Sequence, residues 1–160
     1  MRTNKLLKLV AISAVILGAV SCKDEVASVG QKAPDIAAYD LQGNPANLEN
    51  WKGTRLLVFW SETCGHCIAE LKEFEKLAED NPGKVSLIAI NVDGDKMDTK
   101  AVVAKRELHL PVIKDQMKIT AERYQLMGTP TSFVINPEGK IQAKYEGAIP
   151  SNDLDKLFKG

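Results

Sequence analysis

Two uninterrupted apolar runs, each followed by a stretch with helical spacing, constrain the fold more than any other feature of this sequence. Residues 55–60 (RLLVFW) and 85–92 (VSLIAINV) are suited to central strands that are buried on both faces. Helical spacing follows the first run over 65–80 and the second over 99–108. Strands that alternate with helices predict an α/β sandwich, because the helices must bury their apolar stripes against the sheet.

Shorter patterns on both sides of this centre predict the remaining elements. Turn residues interrupt short apolar pieces near both ends of the domain, which favours hairpins there. The predicted elements are a hairpin within 34–50, a short strand at 112–113, a helix over 119–126, a hairpin formed by 131–135 and 140–145, and a terminal helix over 152–158 with Ser151 as its N-cap.

The N-terminus has the parts of a secretory signal. A basic start is followed by the uncharged, mostly apolar run 9–20, which is shorter than the ~20 residues that a membrane-spanning helix needs. The next residues, Ala19-Val20-Ser21-Cys22, resemble the lipobox of bacterial lipoproteins, although Ala19 stands where Leu is usual. In that motif the signal is cut before the cysteine, which then carries lipid. The alternatives are an ordinary signal peptide with an incidental Cys22, or a buried core helix.

This interpretation divides the chain into a signal peptide (1–21), a lipid attachment site with a polar tether (22–30) and one domain (31–160). Cleavage removes three of the 21 basic residues and none of the 21 acidic ones, which leaves a net charge of −3. We expect no nucleic-acid binding, because there is no excess of positive charge to neutralise phosphates. The three cysteines are too few for a disulfide scaffold, so the odd thiol of an exported protein needs an explanation such as lipidation.

The motif that carries chemistry is Cys64-Gly65-His66-Cys67. It follows a predicted buried strand and opens a predicted helix, so the first thiol lies at a helix N-terminus. Free backbone N–H groups and the helix dipole favour an anion there, which lowers the pKa of a thiol. A thiolate at Cys64 can attack a partner disulfide, and Cys67 can then displace the partner from the mixed disulfide.

Two other interpretations of the CxxC pair are a zinc half-site and a structural disulfide. A structural zinc site normally needs four ligands, and the sequence has no second CxxC or His pair, with His109 as its only other histidine. A disulfide that closes so short a loop contributes little chain entropy to stability. Redox chemistry is therefore favoured, with the dithiol itself as the redox centre and neither a metal nor a bound cofactor.

The segment around this motif resembles a known family. Residues 59–67 (FWSETCGHC) are similar to the active site of thioredoxin-fold proteins, and 128–131 (GTPT) resembles the cis-proline loop that faces it. The segments 33–35 (APD) and 40–43 (DLQG), together with the spacing from 93 to 130, point to the TlpA/ResA-like branch. The resemblance covers roughly residues 30–158.

The resemblance implies a three-layer thioredoxin-like sandwich. Its central mixed sheet would have helices on both faces, an N-terminal β-hairpin and an inserted helix–strand unit. It further implies that Pro130 is cis, and that the backbone at Thr129 pairs with a bound substrate chain in the manner of strand addition. Without the resemblance, 128–130 would simply be a turn.

The sequence departs from the thioredoxin pattern at places that matter for proton transfer. Thr63 stands where Trp usually precedes the first cysteine, and Val58 stands where thioredoxins carry a buried Asp that assists the second cysteine. A helical wheel with Cys67 at zero puts Glu70 inside the apolar arc, one turn from that cysteine. We expect burial to raise the pKa of Glu70 and make it a proton acceptor; the alternative is a solvated first-turn glutamate. The branch keeps a glutamate at this offset, but its usual proline two residues later is Lys72 here.

His66 is expected to tune the redox potential. A protonated imidazole near Cys64 would stabilise the thiolate, and hence the reduced form, which makes the couple more oxidising. The same CGHC motif occurs in protein disulfide isomerases. The alternative is a solvated histidine on the first helical turn.

The sequence thus predicts an exported thiol–disulfide oxidoreductase, anchored as a lipoprotein and monomeric. We expect a reductase that acts on protein disulfides, possible targets being the haem-binding cysteines of apocytochromes, and that is recharged by a membrane electron donor. An oxidase or isomerase remains an alternative, as does a metal- or haem-handling module, although copper-delivery relatives have CxxxC. A peroxidase would need Pro of a PxxxTxxC frame where Trp60 stands.

The remaining marked residues, which are three aspartates, His109 and Trp51, are expected to have structural roles. Asp93, Asp95 and Asp98 fail the EF-hand pattern and predict a solvated acidic loop. His109 predicts a loop or packing residue, and Trp51 is expected to fill core or rim space.

Overall fold

The structure, a computed structural model, describes residues 25–160. The predicted signal peptide and Cys22 lie outside the described residues and stay predictions. Within the described part, no helix combines the length and apolar character needed to cross a bilayer.

A seven-stranded mixed sheet forms the centre of the domain, with the strand order β2-β1-β5-β4-β3-β6-β7. The strands are β1 (Ala38–Asp40), β2 (Pro45–Ala46), β3 (Thr54–Trp60), β4 (Val85–Asn91), β5 (Val112–Lys114), β6 (Thr131–Ile135) and β7 (Ile141–Glu146). The helices are α1 (Gly65–Asp80), α2 (Thr99–Arg106), α3 (Ile119–Arg123) and α4 (Ser151–Lys159), with short 3₁₀ turns at Leu48–Asn50 and Gly94–Lys96.

The register of β3 shows why the sheet is mixed. This central strand lies parallel to β4, with Val58 opposite Ala89, and antiparallel to β6, with Val58 opposite Ser132. The outer pairs β1–β2, β1–β5 and β6–β7 are antiparallel, whereas β4 and β5 are parallel. The predicted N-terminal hairpin and the inserted α2–β5 unit are both present.

Alternate side chains of β3 feed two separate apolar cores. Leu56, Val58 and Trp60 pack in one cluster with α1 and α4, and α2 covers its edge. Leu57 and Phe59 pack in the other cluster with Tyr124, which ends α3. One core on each face confirms the predicted three-layer sandwich.

The ends of α2 and α3 and the cap of α4 differ from the sequence predictions. Helix α2 ends at Arg106, because Glu107 adopts a left-handed conformation (φ 51°), and α3 ends at Arg123. The prediction of Ser151 as an N-cap is wrong: Ser151 is already inside α4, and Pro150 is the cap. The carbonyl of Pro150 accepts the first bonds of the helix, from the N–H groups of Asp153 and Leu154.

The last part of the predicted tether contacts the domain. The N–H of Ala27 donates to the carbonyl of Arg123, and that of Gly30 donates to the carbonyl of Ile141, both at 2.8 Å. Ala27 also packs against the apolar cluster that contains Tyr124. Chain from Ala27 onward is therefore held on the body of the domain.

Candidate active site

The first cysteine caps the helix that follows the central strand. Strand β3 ends at Trp60, residues 61–63 form a loop, and Cys64 is the N-cap of α1. The N–H of Cys67 donates to Cys64 Sγ at 3.2 Å. The predicted thiol at a helix N-terminus is therefore present, with a backbone donor directed at the sulfur, which is the arrangement that stabilises a thiolate.

Cys64 and Cys67 are joined as a disulfide, with their Cα atoms 5.3 Å apart. Their surroundings differ: the side chain of Cys67 is fully buried, whereas Cys64 is half-buried. A partner can therefore reach the sulfur of Cys64 but not that of Cys67. The pair can exchange its bond with an external thiol or disulfide only through Cys64.

The loop before β6 closes over the disulfide. The Thr129–Pro130 peptide bond is cis, as the family resemblance implies. The carbonyl oxygen of Thr129 lies 3.7 Å from Cys64 Sγ. The hydroxyl of Thr131 donates to the carbonyl of Gly128 at 2.7 Å and so fixes the turn. The structure thus brings Thr129 and Pro130 to the dithiol.

Glu70 lies on the side of α1 that the helical pattern predicts. Its carboxyl group is half-buried, and Oε1 accepts the N–H of Ile149 at 3.3 Å. Its Oε2 is buried and has no hydrogen-bond partner within the described residues. Burial raises the pKa of Glu70 above its usual value, the Ile149 N–H partly opposes this, and the nearby charge of Glu73 adds to it.

A groove of about 560 Å³ lies beside the dithiol, between α1 and the segment that leads into α4. His66 is exposed on the first turn of α1 and forms part of its wall, together with Glu70 and Pro130. The remaining wall residues are Ala69, Glu73, Gly147, Ala148, Ile149, Ser151 and Leu154. Apolar and acidic side chains thus share a concave surface with His66, which lies between the two cysteines in the chain, and with Pro130.

Position 58 carries no proton acceptor. Val58 is fully buried in the same apolar cluster as Cys67. Glu70 approaches this cluster from α1, so the structure offers a carboxyl group on a different element from the one thioredoxins use.

The prediction of a solvated acidic loop is wrong for Asp93. This side chain is half-buried and accepts hydrogen bonds from Ser61 Oγ at 2.5 Å, from the N–H of Glu62 at 2.9 Å and from Asn91 Nδ2 at 2.7 Å. The position of Asp93 in the sequence could have indicated this role. Asp93 follows β4, whose carboxyl end lies beside that of β3 in a parallel pair, and polar groups converge at such ends.

Asp95, Asp98 and His109 do not contact the dithiol site within the described part of the chain. Asp95 is exposed, and Asp98 caps α2 by accepting the N–H of Ala101 at 3.0 Å. His109 is exposed, and its backbone N–H donates to the Glu75 carboxylate. No group of three or more potential metal ligands occurs within residues 25–160.

A mixed sheet between helical layers, with a CxxC disulfide at a helix N-terminus opposite a cis-proline, defines a thiol–disulfide oxidoreductase of the thioredoxin fold. The chain belongs to the AhpC/TSA family, whose profile matches residues 29–144. Within it the chain is a TlpA/ResA-like protein.

Known relatives agree with this assignment. The chain is 31% identical over 154 residues to the thiol-disulfide oxidoreductase ResA of Bacillus subtilis, covering 92% of this chain and 84% of that protein. It is 28% identical to ResA of Bacillus thuringiensis, over 99% of this chain and 98% of the relative. The crystal structure of the thioredoxin domain of a thiol-disulfide oxidoreductase from Bacteroides vulgatus has a TM-score of 0.70 and 26% identity, with coverages of 82% and 96%.

Proposed function

We propose that this oxidoreductase is a reductase of protein disulfides outside the cytoplasm, attached to a membrane through a lipid on Cys22. The observation that carries the exchange chemistry of this proposal is the half-buried Cys64 sulfur at the start of α1, which accepts the N–H of Cys67. A sulfur so placed is stabilised as a thiolate, the form that attacks disulfides.

In the first step the Cys64 thiolate attacks one sulfur of a substrate disulfide. A Cys64–substrate disulfide forms, the substrate S–S bond breaks, and the departing substrate thiolate takes a proton from solvent. Thr129 and Pro130 position the substrate chain, because the backbone beside Cys64 offers an edge for strand addition.

In the second step the thiol of Cys67 loses its proton to the Glu70 carboxylate and attacks Cys64 Sγ. The mixed disulfide breaks, the second substrate thiolate leaves, and the enzyme is left with the Cys64–Cys67 disulfide. Burial of Glu70 raises its pKa toward that of the thiol, which makes it a better proton acceptor for this transfer. His66 shifts the balance between the dithiol and disulfide forms.

The groove beside α1 is where we place the substrate segment. Its walls carry Glu70, Pro130 and Ile149, so a bound chain would lie within reach of the sulfur. By its resemblance to the TlpA/ResA-like branch, the substrate class that we propose first is the oxidised haem-attachment segment of c-type apocytochromes. No cofactor is required, because the dithiol carries the two electrons.

Lipidation of Cys22 would hold the domain close to the membrane. Ala27, whose N–H is bonded to the domain, comes five residues after Cys22, and five extended residues span at most ~18 Å. A domain held this close to a bilayer could receive electrons for its disulfide from a membrane protein, which we propose as its donor, and we propose that the domain is a monomer.

The reduction potential of the 64/67 pair tests the proposed direction of electron flow. Equilibration of the full chain with glutathione buffers should give a potential near ~−270 mV for a reductase, whereas ~−120 to −180 mV would indicate an oxidase or isomerase. Reduced protein should also reduce an oxidised CxxCH peptide, and the Cys64→Ser variant should not. Failure of the unmodified chain to reduce the peptide would rule out the proposed substrate class.

A further inference from the structure

The loop that delivers Cys64 to the start of α1 is secured mainly by one side chain outside it. Within this loop, the N–H of Cys64 donates to the carbonyl of Ser61 at 3.1 Å. Beyond that bond, the hydroxyl of Ser61 and the N–H of Glu62 both donate to the carboxylate of Asp93. The Ser61 hydroxyl also lies 3.1 Å from that of Thr63.

The carboxylate of Asp93 accepts three hydrogen bonds. Asp93 Oδ1 accepts from Ser61, and Oδ2 accepts from both Glu62 and Asn91. An ionised carboxylate offers acceptors on both oxygens, whereas the amide of Asn would replace one of them with a donor. Hydrogen bonds to a charged acceptor are also about twice as strong as neutral ones.

Asp93 is itself held by a buried residue of the sheet. Asn91, which ends β4, is 1% exposed; its Oδ1 accepts the backbone N–H of Asp93 at 3.1 Å and the hydroxyl of Thr99 at 3.3 Å. The N–H of Asp115 donates to the carbonyl of Asn91 at 2.9 Å. The carboxylate is therefore fixed relative to the sheet and to the start of α2, and it does not follow the loop passively.

We infer that Asp93 is a positioning residue for thiol–disulfide exchange: it fixes residues 61–63 so that Cys64 starts α1 with its sulfur at the N–H of Cys67. The inference needs only the exchange activity and does not depend on the direction of electron flow. A loop left free to move would spread Cys64 over several positions and weaken the helix-terminal stabilisation of its thiolate.

Asp93→Asn tests this in the reduced full chain. The readout is the pH dependence of iodoacetamide alkylation at Cys64, followed by peptide mass spectrometry so that Cys22 and Cys67 are counted separately. We expect the midpoint to move up by about one pH unit, because one acceptor oxygen of residue 93 becomes an amide donor and the charge that strengthens the remaining hydrogen bonds is lost. The bimolecular rate with a small disulfide at pH 7 should also fall, by up to about tenfold, because a smaller fraction of Cys64 is then thiolate.

Asp95→Asn is the matched control, since it removes the same charge from an exposed position of the same loop. The other titratable groups around Cys64 are Glu62 in the loop and His66, Cys67 and Glu70 on α1, and all of them are present in every variant. The control should leave the alkylation midpoint unchanged. An equal upward shift in both variants would show that the shift does not depend on the contacts of Asp93 with the loop, and would overturn the inference.

Ser61→Ala keeps the charge of Asp93 and removes one of its donors. We expect a smaller upward shift of the same midpoint, and this variant decides the matter if Asp93→Asn does not fold. The inference is wrong if Asp93→Asn leaves the midpoint in place or lowers it, or if Ser61→Ala shows no shift when it is the only variant that folds.

Discussion

The two sulfurs of the dithiol have different surroundings, and this difference orders the reaction. Cys64 is accessible and has a backbone donor directed at its sulfur, so it is suited to attack. Cys67 is fully buried within an apolar cluster, where a thiol keeps its proton. The second step therefore needs a base, and Glu70 lies one helical turn from Cys67 with an unpartnered oxygen among the described residues.

Glu70→Gln should slow the second step and leave the first unchanged. With a small aromatic disulfide such as DTNB, attack by Cys64 releases one thiolate and attack by Cys67 releases another, so the steps appear as two phases in stopped flow. We expect a roughly 100-fold slower second phase, because general-base catalysis is removed. Both proteins should also carry Cys22→Ser, so that Cys64 and Cys67 are the two cysteines of the three that remain to react.

The pH profile of that second phase distinguishes the loss of a proton acceptor from a change in the structure of the site. Since burial raises the pKa of Glu70, the rate should rise as pH increases through that pKa and the carboxylate forms. The variant should lack this rise. Glu73→Gln, which removes an exposed carboxylate of the same groove, should keep this rise but move it to lower pH, because the charge of Glu73 contributes to the raised pKa of Glu70. Equal second phases in Glu70→Gln and the unmodified chain would exclude Glu70 as the base.

His66→Pro should make the couple more reducing. The proline variant lacks the imidazole that we propose stabilises the Cys64 thiolate, and hence the reduced form, so the potential should fall by tens of mV, within the ~90 mV that separates thioredoxin from protein disulfide isomerase. Glutathione equilibration measures it. His66→Gln should change the potential in the same direction, and His109→Gln should not change it. A potential that stays constant or rises would show that His66 is only a solvated side chain.

At the scale of elements, the strands and helices whose side chains are mostly buried were predictable from the sequence. The apolar run that became β3 and the helical spacing that became α1 are local, and both elements have the predicted character. Placement of Glu70 followed from the same periodicity, because a helix converts spacing along the chain into direction. The end of α2 was less predictable, since a left-handed Glu107 stops that helix without a Gly or Pro signal.

Contacts between distant segments were not predictable in the same way. Asp93 meets Ser61 only because β4 pairs in parallel with β3, and Glu70 meets the N–H of Ile149 only because α4 packs beside α1. Such contacts depend on tertiary packing, which local periodicity does not encode. The cis-proline loop was foreseen from the family resemblance, not from local chemistry.

Helix α1 depends on its apolar face, and Phe74→Ala tests this dependence. Phe74 is fully buried and stacks on Phe158 of α4, with ring centroids 6.4 Å apart. Its truncation should lower the free energy of unfolding by ~3–5 kcal/mol, measured by denaturant titration of the oxidised protein. Lys72→Ala, on the exposed side of the same helix, should change it by less than ~0.5 kcal/mol. A loss below ~1 kcal/mol for Phe74→Ala would mean that the α1–α4 contact is not tightly packed.

For the whole molecule, the strand directions gather the reactive groups at one end. Strands β3 and β4 run parallel, so Cys64 and Asp93 both follow carboxyl ends, and antiparallel β6 begins there with the cis-proline loop before it. The N-terminal segment is fastened elsewhere, at the carbonyls of Arg123 and Ile141. A short link from Cys22 to Ala27 would thus tie the body of the domain to a bilayer while the dithiol stays on the carboxyl end of the sheet.

Cys22→Ser should release the protein from the membrane without affecting its chemistry. In a bacterium that processes lipoproteins, the unmodified chain should fractionate with membranes and carry a lipid-modified N-terminal Cys22, because buried acyl chains contribute about 0.8 kcal/mol per CH₂ to anchoring. The variant should lose the lipid, leave the membrane fraction and keep its rate of disulfide exchange. Cys64→Ser is the complementary control, which should stay membrane-bound and lose exchange. If Cys22→Ser and the unmodified chain fractionate alike, with no lipid on either, the N-terminus is an ordinary signal and the proposed membrane proximity fails, whereas the chemistry of the dithiol stands independently.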